Sequence, residues 1–354
     1  MTDRLVLSAA RQQFPPVRGY LDAATLGLPA LATRQALLDA VEQWAAGRAE
    51  PAAYDLAVAR SRQSFAALVG VPADLVAIGP QVSVLVAVVA STLPDGAEVL
   101  TYSGEFASVA FPFLVHADRG VRVRQVPLAA LADEVSDSTA CVAFSLVQSA
   151  TGEVADAAAI REAAARVGAL TVCDTTQATG WLPVRAKDFD VTVCGAYKWL
   201  CSPRGTAFLT VSPEALGRLR PLYAGWHAGE SVWDSVYGPD MRLAASARRF
   251  DVSPAWLPWV GTATALEVFA GLDVSAVRDY DAALADRLRA ALGMEPDGRA
   301  VVSLPDPDGE LRRALEAAGC RVAGRAGLVR LSFHLWNDED DADAAGEALR
   351  PLWR

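Results

Sequence analysis

Two ionisable residues close two apolar runs. Ala169-Leu170-Thr171-Val172-Cys173 leads into Asp174, and Asp190-Val191-Thr192-Val193-Cys194-Gly195-Ala196-Tyr197 leads into Lys198. Short β-branched runs bounded by glycine and proline predict buried parallel strands. Both charges then stand at the carboxyl ends of strands, where open α/β sheets bind ligands. The pair reads in two ways. One is a salt bridge. The other is the pair of groups that pyridoxal 5'-phosphate needs: an amine to form the Schiff base, and an acid that keeps the pyridine nitrogen protonated so the ring accepts electrons from a substrate carbanion.

The flanking residues favour the second reading. Cys173-Asp174-Thr175-Thr176-Gln177-Ala178-Thr179-Gly180, followed by Tyr197-Lys198-Trp199-Leu200-Cys201-Ser202-Pro203-Arg204-Gly205-Thr206-Ala207-Phe208-Leu209, resembles the class V aminotransferase family. That family comprises pyridoxal phosphate enzymes, among them isopenicillin N epimerase-like proteins, cysteine desulfurases, kynureninases and C–S lyases. The lysine segment is most similar to the epimerase-like branch, apart from Tyr197. The opening Tyr20-Leu21-Asp22-Ala23-Ala24-Thr25-Leu26-Gly27 and the Tyr197-Lys198 pair look more like kynureninase. The resemblance runs from about residue 20 to about residue 340. It implies the type I fold of pyridoxal phosphate enzymes. The expected architecture is a mostly parallel, seven-stranded-type sheet in a large domain (residues 20–255), with a small α+β domain formed by residues 1–19 and 256–354. It further implies a homodimer with its active sites at the subunit interface.

The resemblance also suggests roles for individual residues. A strand, the Gly79-Pro80 turn and a helix beginning near Val82 offer free N–H groups and a positive dipole end to the cofactor phosphate. Ser83 adds a hydroxyl there, although the same feature is also an ordinary helix start. Tyr197 takes a phosphate-binding position. Gly195 stands where many relatives carry a phosphate-binding serine, so other donors must compensate; Trp226 and Ser253 are candidates, the latter usually reaching in from the neighbouring subunit. Ser253 before Pro254 also reads as a helix N-cap. Phe106, in Gly104-Glu105-Phe106-Ala107-Ser108, is the expected ring-stacking residue, or else a core aromatic. Gln177 is expected to donate to the cofactor's phenolic oxygen. Ser149 stands near that oxygen where relatives have an asparagine, with Gln148 as a possible replacement.

Leu328-Val329-Arg330-Leu331-Ser332-Phe333-His334-Leu335-Trp336-Asn337 places one arginine among large apolar residues. A buried guanidinium needs an anion, and its planar fork suits a carboxylate. The resemblance assigns Arg330 to the substrate α-carboxylate, with Thr25 and Ser149 as further substrate contacts; pairing with an internal Asp or Glu is the alternative. His334 reads as structural. The aromatic, glycine-containing segment 224–240, with Trp226, His227, Trp233 and Tyr237, looks like an active-site loop or a dimer contact.

The expected elements alternate. Helices are predicted over 31–47, 55–69, 82–93 and 156–167, and strands over 74–78, 98–101, 121–124 and 140–145, besides the two that carry Asp174 and Lys198. Gly205–Val211 reads as an antiparallel return strand. Helices over about 257–271, 278–292 and 308–318 and strands near 300–303 and 319–335 complete the chain.

Composition frames these expectations. Of 354 residues, 52% are hydrophobic and 21% charged, which excludes a disordered chain, and a net charge of −10 argues against binding a phosphate backbone. The five cysteines (141, 173, 194, 201, 320) form no CxxC and no metal-ligand set, which predicts inert thiols in a reducing, cytoplasmic compartment and no metal. The start Met-Thr-Asp-Arg does not read as a signal peptide, and Val82–Leu93 is too short to span a bilayer.

The reaction is narrowed by what each chemistry requires. A cysteine desulfurase needs a mobile loop cysteine, and Cys320 sits in a strand-like run instead. A kynureninase-like hydrolase would have Asn-Ser where Ala24-Thr25 stand. A β-elimination C–S lyase needs only the lysine, the electron sink and a carboxylate clamp, and is the first expectation. An aminotransferase is second and an amino-acid epimerase third; a degenerate, non-enzymatic homologue would lack the Asp174, Gln177, Lys198 and Arg330 set.

Overall fold

The computed structural model describes residues 2–353. Helices α1 (Thr2–Arg11), α2 (Leu31–Ala45) and α3 (Pro51–Val69) precede strand β1 (Val76–Gly79), helix α4 (Val82–Ala90), strand β2 (Glu98–Tyr102), helix α5 (Ala107–Leu114) and strand β3 (Arg122–Val126). Strand β4 (Thr139–Ser145), helix α6 (Ala157–Val167), strands β5 (Leu170–Asp174), β6 (Val191–Gly195) and β7 (Ala207–Val211) and helix α7 (Pro213–Leu216) follow. The carboxyl-terminal part contains α8 (Trp256–Phe269), α9 (Val274–Ala291), β8 (Val301–Pro305), α10 (Glu310–Ala317), β9 (Ala323–Arg325), β10 (Leu328–Ser332) and α11 (Glu339–Leu349).

The seven-stranded sheet has the order β1-β7-β6-β5-β4-β2-β3. Its β2, β3, β4, β5 and β6 strands run parallel, whereas β7 is antiparallel to both β6 and β1, as the return strand was expected to be. The central strands are mostly apolar because helices cover both faces: β5, β6 and β7 are buried along their whole length. Register sets the site. Ser145 pairs with Asp174 across β4–β5, and Asp174 pairs with Val193 across β5–β6, so three strand ends open at one level.

The smaller sheet has the order β8-β10-β9, all antiparallel. The strand expected over 319–335 is two strands folded on a tight turn at Ala326 (φ 50°) and Gly327 (φ 76°). Both central residues have positive φ, the turn that follows the twist of a hairpin, and an alanine there carries no sequence signal. Helices α1, α5, α7 and α11 were not anticipated. Helix α5 contains Pro112, and α11 is an acidic segment started by a capping box between Asp338 and Asp341, so neither displays a plain amphipathic stripe.

Contacts tie together both sides of the expected domain limits. Helix α8 packs along α2 and α3, while Tyr20 and Asp22 form bridges to Arg321, just before β9, and to Ser332 of β10. One core cluster runs from Phe14 through Phe144 and Trp199 to Trp336, spanning the two sheets. Among the described residues no single helix is long and apolar enough to cross a membrane.

Candidate active site

A cavity of about 340 Å3 opens at the carboxyl ends of β4, β5 and β6. Its wall contains Val82, Phe106, Ser149, Asp174, Gln177, Tyr197 and Lys198, seven residues singled out from the sequence. Asp174 ends β5 and Lys198 lies three residues beyond β6, so the strand-end argument places both.

Lys198 is buried, and among the described residues its amine makes no hydrogen bond or ion pair; its Nζ lies 5.3 Å from the Phe106 ring centroid and 5.6 Å from that of Tyr197. Burial pulls its pKa down to about 8, against the opposing pull of Asp174. Asp174 is buried too. Its Oδ1 accepts the Thr176 N–H at 2.8 Å, and Oδ2 is left for the cavity. Burial pushes this carboxyl above its ordinary range, and a cation set against the free oxygen would draw it back. That unfilled acceptor in a dry wall suits a protonated ring nitrogen, and the unbonded amine suits an aldehyde. The donor set therefore fits pyridoxal 5'-phosphate.

Phe106 caps the start of α5 with 43% of its surface exposed, and its ring faces the lysine amine. The preceding Glu105 fixes it. Its carboxylate accepts the Phe106 N–H at 2.5 Å and both the N–H and hydroxyl of Ser145 at 2.6 Å. Burial raises the Glu105 pKa to about 7.

Gln177 lines the cavity, but its side chain also braces the floor. Nε2 donates to the Ala24 carbonyl (2.9 Å) and the Ser149 hydroxyl (3.2 Å), and Oε1 accepts from the Trp199 indole (2.8 Å). Arg330 and Thr25 are absent from the cavity wall and stand behind Ser149. Arg330 is 1% exposed on β10, the middle strand of its sheet. One terminal nitrogen donates to the Ser149 carbonyl; the other donates to the Thr25 hydroxyl at 2.7 Å and lies 3.6 Å from Asp22. Burial lowers the Arg330 pKa to about 10 even with Asp22 beside it. Its Nε–H is buried and without a partner.

The amino end of α4 reaches the cavity through Pro80, Gln81 and Val82, with no side chain capping its N–H groups. Ser83 lies off the wall. Trp226 and Ser253 are also outside it: Trp226 packs 5.3 Å from Trp233, whose indole donates to Asp55 on α3, and Ser253 is exposed after Val252, whose N–H bonds to Ile78 of β1. His334 is structural, with Nδ1 2.7 Å from Asp281 and Nε2 2.9 Å from the Trp199 carbonyl oxygen. Sequence reasoning passed over Ser108, Ser145 and Arg204, all in the wall. Arg204 was legible as a lone cation in the loop after the lysine; Ser145, at the end of an apolar strand like Asp174, carried a weaker version of the same signal.

With this geometry in place, the comparisons with known proteins agree on the fold. The sequence profile described as aminotransferase class-V matches residues 56–311. The uncharacterized aminotransferase YcbU of Bacillus subtilis is 31% identical over 79% of this chain and 80% of its own length. The isopenicillin N epimerase of Amycolatopsis lactamdurans is 28% identical over 82% of this chain and 84% of its own. The crystallised cystine C-S lyase C-DES, in complex with its product cysteine persulfide, superposes with a TM-score of 0.84 at 20% identity, covering 94% of this chain and 97% of that one.

Proposed function

This chain belongs to the class V aminotransferase family, and from that premise we propose that it uses pyridoxal 5'-phosphate, held at Lys198, to break a carbon–sulfur bond of a cysteine-derived α-amino acid by β-elimination. The observation that carries the reading is the unbonded Lys198 amine and the half-satisfied Asp174 carboxyl in one cavity wall.

When bound, the cofactor supplies the electron sink that lets the substrate Cα–H bond break. The chain's residues do the rest. Asp174 would hold the ring nitrogen, Phe106 one ring face, and Tyr197 with the amino end of α4 the phosphate. Lys198 would take the proton from the substrate Cα; a lysine with its pKa near 8 serves as a base close to neutral pH. The α-carboxylate would go to Arg330 only if that side chain, now behind Ser149, turned its unpartnered Nε–H or its Thr25-bound nitrogen toward the cavity. Phe106 brings no acid or base, so proton movement at Cα rests on the lysine.

Elimination is favoured over sulfur transfer by the cysteines. All five are buried, and Cys320 sits in the core of the smaller domain with Leu315 and Leu331. A desulfurase requires a thiol that reaches the substrate sulfur, and the cavity wall holds none. The same reading includes a homodimer, supported by Trp226 and Ser253 standing outside their own chain's cavity, and a cytoplasmic location, supported by buried free thiols.

The test is a spectrum of purified protein with pyridoxal phosphate, followed by a panel of amino acids and cysteine conjugates. The reading expects a visible band lost in Lys198→Ala, and release of pyruvate with a free thiol from a conjugate. Conversion to the amine form of the cofactor, reversed by a keto acid, would replace elimination by transamination. Absence of any band would remove the cofactor from the account.

A further inference from the structure

We propose that Arg204 is the cationic partner of the cofactor phosphate, holding it together with the Tyr197 phenol at the α4 end of the cavity. The inference rests on the pyridoxal phosphate reading and assigns it a residue.

Arg204 stands in the same cavity wall as Pro80, Gln81, Val82 and Gly205. Among the described residues it makes no ion pair and no hydrogen bond; its guanidinium carbon lies 5.3 Å from the centroid of the Tyr197 ring. Arg204 is exposed at the cavity mouth, where it shares a concave wall with a second cation, Lys198, and a single acid, Asp174. Asp174 already acts on the lysine amine, so the wall keeps one uncompensated positive charge. The arrangement is that of an anion receptor.

Position separates this anion from the substrate carboxylate. The arginine charges that reach the Lys198 amine are those of Arg330 and Arg325, whereas at the Tyr197 phenol Arg204 is the leading charge, ahead of Asp174 and Arg325. Gly195 leaves room for this ring: a Cβ there would lie 3.2 Å from Tyr197 Cε1, tighter than ordinary packing, so the ring would have to shift from its place 5.3 Å from the guanidinium carbon.

The test is equilibrium binding to the full-length apoprotein, followed by tryptophan fluorescence, of pyridoxal 5'-phosphate and of pyridoxal, which has the same ring and aldehyde without the phosphate. Arg204→Gln should weaken binding of the phosphorylated form at least about tenfold while pyridoxal stays within about twofold. Arg204→Lys should fall between, and inorganic phosphate should compete less well against the Gln variant than against wild type. Equal weakening of both ligands, or no change in either, overturns the assignment. Failure of the cofactor reading has a separate signature, since wild type would then show no saturable binding of pyridoxal phosphate, and that result overturns both.

Discussion

Both carboxylate oxygens of Glu105 are engaged by Ser145, one by its backbone N–H and the other by its hydroxyl, each at 2.6 Å. This clamp joins the end of β4 to the turn that carries Phe106. It fastens a titratable group to the backbone of the residue expected to stack on the cofactor, and its consequence is a pH dependence.

Burial raises the Glu105 pKa to about 7, so between the ordinary carboxylate range and 7 the folded chain binds a proton that the unfolded chain lacks. The contribution of this group to stability is therefore greatest at low pH and declines as pH rises through 7. Glu105→Gln removes the titration and keeps an acceptor and a donor for Ser145. Its melting temperature relative to wild type should rise as pH goes from about 5 to about 8. A difference that stays flat with pH would show that the carboxyl is not perturbed.

Lys198 should react with the cofactor aldehyde as the free amine. With its pKa pulled down to about 8, the rate of covalent attachment to apoprotein should climb through that pH and level off above it. Attachment fixed by borohydride and mapped by mass spectrometry is the readout. A climb continuing to the ordinary lysine range would contradict the burial seen here.

The Asp22–Arg330 pair, 3.6 Å apart and buried on both sides, should be costly to split. Asp22→Ala leaves the guanidinium without its carboxylate and should lose roughly 3 kcal/mol of unfolding free energy. Denaturant titration measures this. Arg330→Gln should raise KM for amino-acid substrates more than it lowers kcat, as expected for a group that binds the carboxylate in ground and transition states alike.

Gly27 packs against the lysine turn, with its N–H donating to the Tyr197 carbonyl at 3.0 Å. A Cβ added there would fall onto the carbonyl oxygen of Lys198 and within 3.0 Å of the Cys201 Cα, both backbone atoms that cannot swing aside. Gly27→Ala should lower the melting temperature and weaken cofactor binding together. Gly217→Ala, which meets nothing within 4 Å, is the control expected to change neither.

Local sequence was sufficient for Asp174 and Lys198. A strand needs only a short apolar run, and the residue that ends it lies at the sheet edge wherever the strand is placed. The same logic reached Phe106 and the α4 turn, because each follows its strand directly. It was insufficient for α11 and for the β9–β10 turn, where an acidic helix and an alanine at positive φ give no periodic signal.

Residues far apart in the chain mark the boundary between what the sequence by itself determined and what the tertiary structure decided. The chemical groups, their order and the α/β alternation follow from local pattern. Which groups share a wall does not. Arg330 was read for the substrate carboxylate from its own strand alone; β10 sets it behind Ser149, beside Asp22 and bonded to Thr25 from the opposite end of the chain. Glu105 was one acid in a turn until β2 and β4 were laid side by side, and Arg204 was one arginine in a loop until that loop closed over Tyr197. Periodicity reports how a residue faces its own element; charge pairing, burial and the pKa values they set depend on which elements become neighbours, and only the packed sheets decide that.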